Sequence, residues 1–342
     1  MKAMVLQGVC DLMDRKEPLN LCDIPVPKPE PDQILIQVSC CGVCHTELDE
    51  IEGRTPPPAY PVVPGHQVVG YVHQVGEKVT RWKKGDRVGV AWLFSTCGKC
   101  EFCKSGRENL CPHFKATGRD TNGGYAEYMV VGQDAAYAIP AIFSDEQAAP
   151  LLCAGAIGYR SLLLAGLTNG QTLGLSGFGA SAHLVLKMAR FLYPYSDLYV
   201  FARSEQERLF ALSLGASWVG DFTDIPPTFC HVIIDTTPVW KPILSSLYYL
   251  LPGGRLVINA IRKESIDKVS MATIDFAAQL WMEKEIKSVA NITRHNVEEF
   301  LKLAARIPII PQVESYPFLQ ANEALSDLKE KRLKGAKVLM MH

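Results

Sequence analysis

Cys97, Cys100, Cys103 and Cys111 are spaced C-x2-C-x2-C-x7-C in the run CGKCEFCKSGRENLC. Four thiols on so short a loop can close a tetrahedral shell around one zinc ion. A closed shell leaves no position for a substrate, so such a site is structural. This lobe, over 95–113, directs attention to the other sulfur and imidazole groups. Cys44 opens Cys44-His45-Thr46-Glu47, His66 lies in Pro64-Gly65-His66-Gln67, and Cys153 lies in Leu152-Cys153-Ala154-Gly155. A catalytic zinc takes three protein ligands and keeps one position open. Cys44, His66 and Cys153 would supply two thiolates and one imidazole, a formally neutral centre still able to polarise a carbonyl. Spacing alone does not separate this reading from three small core residues, since unpaired cysteines are commonly buried.

A second chemistry is written at 177–182. Gly177-Phe178-Gly179-Ala180-Ser181-Ala182 reads G-x-G-x-x-A and follows the apolar run 172–176. Glycines there allow a tight turn and close backbone approach to a pyrophosphate at the positive end of a helix. Gly177, Gly179 and Ala182 are therefore candidate dinucleotide contacts. An acid that bonds the adenosine ribose is expected about 20 residues further on, at the end of the next strand. That strand instead ends Phe201-Ala202-Arg203-Ser204, and the first acid is Glu205. Arg203 could pair with a 2′-phosphate and Ser204 could donate to it. The expectation is NADP in preference to NAD, or both; the alternative is a solvated strand-end cation.

Elements must position these residues. Residues 1–150 hold short β-branched runs broken by Pro and Gly, such as QILIQVS (33–39), VVPGHQVVGYVHQV (62–75) and RVGVAW (87–92), which reads as irregular antiparallel β structure. From Ser144 the stretch SDEQAAPLLCAGAIGYRSLLLAG reads as helical, with a Ser cap and early acids. Near-continuous apolar strands then alternate with helices: 172–176, 198–202, 231–235, 255–260 and 286–290. That alternation predicts a parallel sheet covered on both faces. The chain has 342 residues, 48% of them hydrophobic, enough for about two domains, and a formal net charge of -1. No charge block suggests nucleic acid or anionic lipid, and no apolar stretch approaches the ~20 residues of a membrane helix. Eleven cysteines without an export signal point to metal rather than disulfides, and to the cytoplasm.

GVCHTEL, PGHQVVG, KKGDRVGV, the cysteine lobe, GGYAEYMVV, LLCAG and GFGASAH occur in this order along essentially the whole length. In these segments the chain resembles the zinc-dependent alcohol dehydrogenases of the medium-chain dehydrogenase/reductase family. The resemblance implies an α/β fold: a GroES-like, mostly-β catalytic domain over 1–153 and 291–342, and a Rossmann doubly wound parallel-sheet cofactor domain over 154–290. It implies two zinc ions per chain, a catalytic one on Cys44, His66 and Cys153 and a structural one in the lobe. It implies reversible hydride transfer between a primary alcohol and NADP or NAD, with a small alcohol or aldehyde as substrate and a homodimer or homotetramer as the assembly. Thr46 matches the hydroxyl that bonds the substrate oxygen and passes its proton outward. His45 matches a basic position near the cofactor pyrophosphate, and Trp92 an aromatic wall of the substrate pocket. The chain departs from many relatives at two positions. Gln67 follows the zinc-binding His where a Glu is common. Asp49 stands where a His often ends the proton relay, and is expected to be a plain surface carboxylate. The alternatives are an NADPH-dependent aldehyde reductase of cinnamyl-alcohol-dehydrogenase type and a catalytically silent nucleotide-binding protein. A free-standing zinc-ribbon module would leave the glycine turn and five strands unexplained.

Overall fold

Short apolar runs punctuated by Pro and Gly become strands through the first part of the chain. They are β1 (Lys2–Leu6), β2 (Leu19–Asp23), β3 (Gln33–Val43), β4 (Val68–Val75), β5 (Arg87–Val90), β6 (Leu93–Ser95), β7 (Lys115–Ala116), β8 (Tyr128–Gly132) and β9 (Ala136–Ala138). Helices α1 (His45–Ile51) and α2 (Glu101–Lys104) interrupt them, and α3 (Asp145–Ala148) and α4 (Ala154–Ala165) follow. The middle of the chain alternates β10 (Leu173–Ser176), α5 (Ala182–Leu192), β11 (Leu198–Phe201), α6 (Glu205–Ser213), β12 (Trp218–Gly220), β13 (Cys230–Asp235), α7 (Lys241–Tyr248), β14 (Leu250–Ile258) and β15 (Glu285–Ser288). The last part adds α8 (Arg294–Arg306), β16 (Val313–Pro317), α9 (Ala321–Lys329) and β17 (Ala336–Met340). This computed structural model describes residues 1–14, 16–330 and 335–341.

Contacts divide the chain into two units, Met1–Cys153 with Ile292–His342, and Ala154–Asn291. In the first, β16-β17-β3-β4-β5-β9 form one sheet, with β8 also on β3. All its pairs are antiparallel except β16 with β17. The long β3 anchors the sheet. Its register with β4 shifts twice, and Gly70 lies where a Cβ would meet the Gln37 carbonyl oxygen at 2.3 Å. Only glycine lets the two backbones approach so closely. Val38, Val68, Val72, Val88, Tyr125, Met129 and Leu339 fill the core beneath.

The second unit is a six-stranded sheet in the order β12-β11-β10-β13-β14-β15, every pair parallel. β10 and β11 are buried at every position, as strands covered on both faces must be. The chain runs outward from β10 to β12, then returns to β13 on the other side of β10. Ligands of open α/β sheets bind beyond the strand ends at such a reversal. The short β12 is a sixth strand that apolar patterning missed, and β15, with all four residues exposed, is an edge.

The run from Ser144 is not one helix. Ser144 does cap α3, accepting from the Gln147 N–H. Pro150, which has no N–H to donate, then turns the chain into a 3-10 segment, Ala149–Leu152. Cys153, at φ -122 and ψ -82, separates that segment from α4. Among the described residues, no single helix is long and apolar enough to cross a membrane.

Candidate metal centre

Where β3 ends, Cys44 takes an extended conformation and becomes the N-cap of α1. Its Sγ accepts the Thr46 N–H at 3.4 Å, while the Glu47 carboxylate accepts the Cys44 N–H at 2.8 Å. This reciprocal pair is a capping box with sulfur in place of a hydroxyl. His66 sits in the loop before β4, after Gly65 at φ 97, and Cys153 sits at the helix break. These three residues, 22 and 87 positions apart, meet. Cys44 Sγ lies 3.7 Å from His66 Nε2 and 4.0 Å from Cys153 Sγ, and His66 Nε2 lies 3.3 Å from Cys153 Sγ. Ligand bonds of ~2.0–2.3 Å in a tetrahedron give edges of about 3.5–3.8 Å. The three atoms therefore stand around a common point at spacings that suit zinc, and the donor set suits it too.

His66 is held for that task from behind. Its Nδ1 is 2.6 Å from Glu47 Oε1, with both side chains buried. A carboxylate at Nδ1 fixes the ring and leaves Nε2 facing the two sulfurs. Burial pushes the Glu47 carboxyl up, but the His66 ring and the Cys44 N–H outweigh it and hold it below the usual carboxylate range.

The neighbours on α1 differ in fate. His45 is exposed and Thr46 half-buried in the first turn. Asp49 is not a plain surface carboxylate, contrary to expectation. It is 5% exposed and accepts from Arg54 Nε, because the turn after α1 folds the guanidinium back between Asp49 and Glu52. Glu50 is 1% exposed, and its Oε1 has no hydrogen-bond partner. Burial, reinforced by the Glu47 charge, pushes its pKa up to about 8. The indole Nε1 of Trp92, which is half-buried and packs on Phe114 at 5.4 Å, is also enclosed and unpartnered. Gln67 is 3% exposed, with Nε2 unpartnered.

The second cluster forms locally. The sulfurs of Cys97, Cys100, Cys103 and Cys111 all lie within 4.8 Å of one another, with Cys97 and Cys100 at 3.9 and 3.5 Å from Cys103. Backbone N–H groups point at sulfur: Cys97 to Cys111, Cys100 to Cys97 and His113 to Cys111, each at 3.4 Å. The N–H groups of Lys99 and Cys100 lower the Cys97 thiol to about 6. A loop that favours thiolates and closes around one point fits a structural zinc ion. Glu108 ties this lobe to the returning part of the chain by accepting the Arg294 N–H at 2.8 Å, at the start of α8.

In the other unit, the turn after β10 has Gly177 at φ 81, where a Cβ would lie 2.9 Å from Thr237 Cγ2. Gly179 is exposed with open space around it, and the buried Ala182 begins α5. This turn leaves backbone free beside the N-terminus of an 11-residue helix, as a pyrophosphate requires. Arg203 and Ser204 follow the neighbouring β11, both exposed. Ser204 is also the N-cap of α6, accepting from the Glu207 N–H. Lys263 closes the turn from below. Its Nζ, in a side chain 6% exposed, binds the Asp235 carboxylate, the Thr237 carbonyl at 2.7 Å and the Val239 carbonyl at 3.1 Å. Asp235 in turn accepts from Ser176 at 2.7 Å and Thr237 at 2.8 Å.

Residues 30–141 match the alcohol dehydrogenase GroES-like domain. A probable alcohol dehydrogenase, AdhA, of Mycobacterium tuberculosis is 41% identical over 329 residues, covering 95% of this chain and 93% of its own. An alcohol dehydrogenase of Geobacillus stearothermophilus is 31% identical over 337 residues, covering 95% and 96%. The chain belongs to the zinc-dependent medium-chain alcohol dehydrogenases. The solved cinnamyl alcohol dehydrogenase SbCAD4 of Sorghum bicolor matches the fold of this enzyme at a TM-score of 0.83, with 27% identity, over 99% of this chain and 98% of that one.

Reading the sequence of this dehydrogenase missed Glu47, Glu50, Asp235 and Lys263. A signal existed for Glu47: an acid three residues after an N-cap position is the capping-box spacing. No local pattern marks the other three, since their importance comes from what the fold packs around them.

Proposed function

We propose that the enzyme catalyses reversible hydride transfer between a primary alcohol and its aldehyde, with NADP or NAD as partner. The single observation that carries this is the trio Cys44, His66 and Cys153, converging at tetrahedral spacing with His66 steered by Glu47. Bound there, zinc would act as a Lewis acid on the substrate oxygen, while nicotinamide would take or return the hydride. The thiolates of Cys44 and Cys153 and the His66 imidazole hold the catalytic ion, and Cys97, Cys100, Cys103 and Cys111 hold a structural one.

The chain's own groups do the rest. The Thr46 hydroxyl accepts the hydrogen bond of the substrate hydroxyl and hands its proton outward. Asp49 is engaged by Arg54, so the path beyond Thr46 does not need it. A neutral Gln67 beside His66 leaves the centre less negative than a Glu would, which favours polarisation of the substrate oxygen. Trp92 forms one wall of the substrate site. The Gly177–Gly179 turn and the start of α5 at Ala182 hold the cofactor pyrophosphate, and Arg203 with Ser204 binds a 2′-phosphate. In this reading the unit Met1–Cys153 with Ile292–His342 is catalytic, and Ala154–Asn291 binds the nucleotide. The protein acts in the cytoplasm, consistent with eleven free cysteines. It is a homodimer or homotetramer joined through the exposed β15 edge.

Cys153→Ala is expected to abolish turnover and to lower bound zinc from two ions per chain to one, while nucleotide binding persists in the folded protein. Substantial remaining activity would contradict the ligand assignment. Arg203→Ala is expected to reduce kcat/KM with NADPH by at least tenfold more than with NADH. An equal loss with both would end the cofactor assignment. A cinnamyl-type aldehyde reductase is the second reading, favoured by the likeness to SbCAD4 and to a probable cinnamyl alcohol dehydrogenase 8D of Oryza sativa, 37% identical over 241 residues. A panel of aliphatic and aromatic aldehydes separates the two.

A further inference from the structure

Two arginines gather where β11 ends, beside the glycine turn. Gly177 donates its N–H to the Phe201 carbonyl at 2.8 Å, which fixes the turn next to the end of the strand. Arg203 follows, exposed, and its guanidinium has no partner among the described residues. Arg208, half-buried near the start of α6, folds back onto the same segment. Its Nη1 donates to the Ala202 carbonyl at 2.8 Å and to the Arg203 carbonyl at 3.0 Å. Those two bonds use both hydrogens of Nη1 and leave Nε and Nη2 without a partner among the described residues. Nε and Nη2 form the edge of a guanidinium that offers two parallel N–H groups to a carboxylate or a phosphate. No carboxylate among the described residues answers either charge. Glu205 and Glu207 stand between the two arginines in sequence, yet they pair with neither. The acids that follow the neighbouring β12, Asp221 and Asp224, accept backbone N–H groups of their own turn. Two cations held at one strand end without an internal anion attract one from outside.

We propose that Arg208 is a second specificity-determining residue: its Nε–Nη2 edge grips the adenosine 2′-phosphate together with the Arg203 guanidinium, so that NADP binds in preference to NAD. This rests on the dinucleotide reading above and decides between its two cofactors. The anchoring matters as much as the charge. A loose arginine loses rotamer freedom when it binds a ligand, whereas Arg208 is already tied to two carbonyls before the cofactor arrives, and such preorganisation lowers the cost of binding. One of those carbonyls belongs to Arg203, so the same anchor steadies the backbone from which the first guanidinium projects. A 2′-hydroxyl carries no charge and gains little from either group.

The test measures the dissociation constants of NADPH and NADH by fluorescence titration, in the unmodified enzyme and in Arg208→Gln, Arg208→Lys and Arg203→Ala. The unmodified enzyme is expected to hold NADPH more tightly than NADH by about tenfold or more. Arg208→Gln, which removes the charge and the fork, should weaken NADPH by about tenfold more than NADH. Arg208→Lys keeps the charge without the fork and should restore part of the preference. An equal loss for both nucleotides in Arg208→Gln, or no loss for either, would make Arg208 a brace of the turn and overturn the proposal. A preference that Arg203→Ala removes and Arg208→Gln leaves intact overturns this proposal alone. Equal affinity of the unmodified enzyme for both nucleotides overturns it together with the Arg203 assignment, and binding of neither nucleotide overturns the dinucleotide reading itself.

Discussion

At the scale of single residues, one carboxylate braces the imidazole of the candidate metal centre from behind. Glu47 closes the capping box of α1 and bonds His66 Nδ1 at 2.6 Å. One side chain thus sets both the start of the helix and the aim of the imidazole. Removing such a partner typically costs 10–100-fold in metal affinity. Glu47→Ala is expected to weaken catalytic zinc by about that factor, read by competition against a chromophoric chelator, and to leave the ion of the cysteine lobe in place. Unchanged affinity would show that the ring is oriented by packing alone. Glu50, three residues on, is just as deeply buried, and burial reinforced by the Glu47 charge pushes its pKa up to about 8.

At the scale of elements, the ends of β10 and β13 are held by a buried ion pair. Burial pushes the Asp235 carboxyl up, and Lys263 with the Ser176 and Thr237 hydroxyls only partly offsets this. The same Lys263 ammonium reaches two carbonyls beyond β13, and Thr237 is the residue that crowds Gly177. The cradle of the glycine turn is thereby fastened to the strand beside it. Lys263→Met leaves Asp235 buried without its cation, and breaking such a pair from one side costs about 3–5 kcal/mol. Urea denaturation should show a loss of that order together with weaker dinucleotide binding. Adding Asp235→Asn should recover most of the stability. If the single variant is as stable as the unmodified enzyme, the clamp has no energetic weight.

At the scale of the whole molecule, each unit ties together segments far apart in the chain. β17 pairs with β3 and α8 bonds the cysteine lobe through Glu108, so the last part of the chain completes the first unit. The second unit ends its sheet on β15, whose four residues are all exposed. An uncovered edge strand is a template for another chain, and Ile286 stands on it at 43% exposure. If the enzyme is the proposed dimer or tetramer joined at this edge, Ile286→Lys is expected to shift it toward monomer in sedimentation velocity with its secondary structure unchanged. An unaltered sedimentation coefficient would overturn the proposed contact at β15.

Local features of the chain were legible without a structure. The cysteine lobe and the glycine turn each lie within 15 contiguous residues, and strand-helix alternation announced a parallel sheet because burial on both faces demands continuous apolar runs. The grouping of Cys44, His66 and Cys153 came from resemblance to a family, since spacing alone left them indistinguishable from core residues. Only the tertiary structure decided the partners. Glu47 under His66, Arg54 over Asp49, Lys263 in its buried cradle and Glu50 enclosed beyond Glu47 depend on strand register, on the rotation of α1 and on how turns fold back. Residue order carries the periodicity that makes elements, but the pairing of side chains across elements is set by packing, which no stretch of sequence contains by itself.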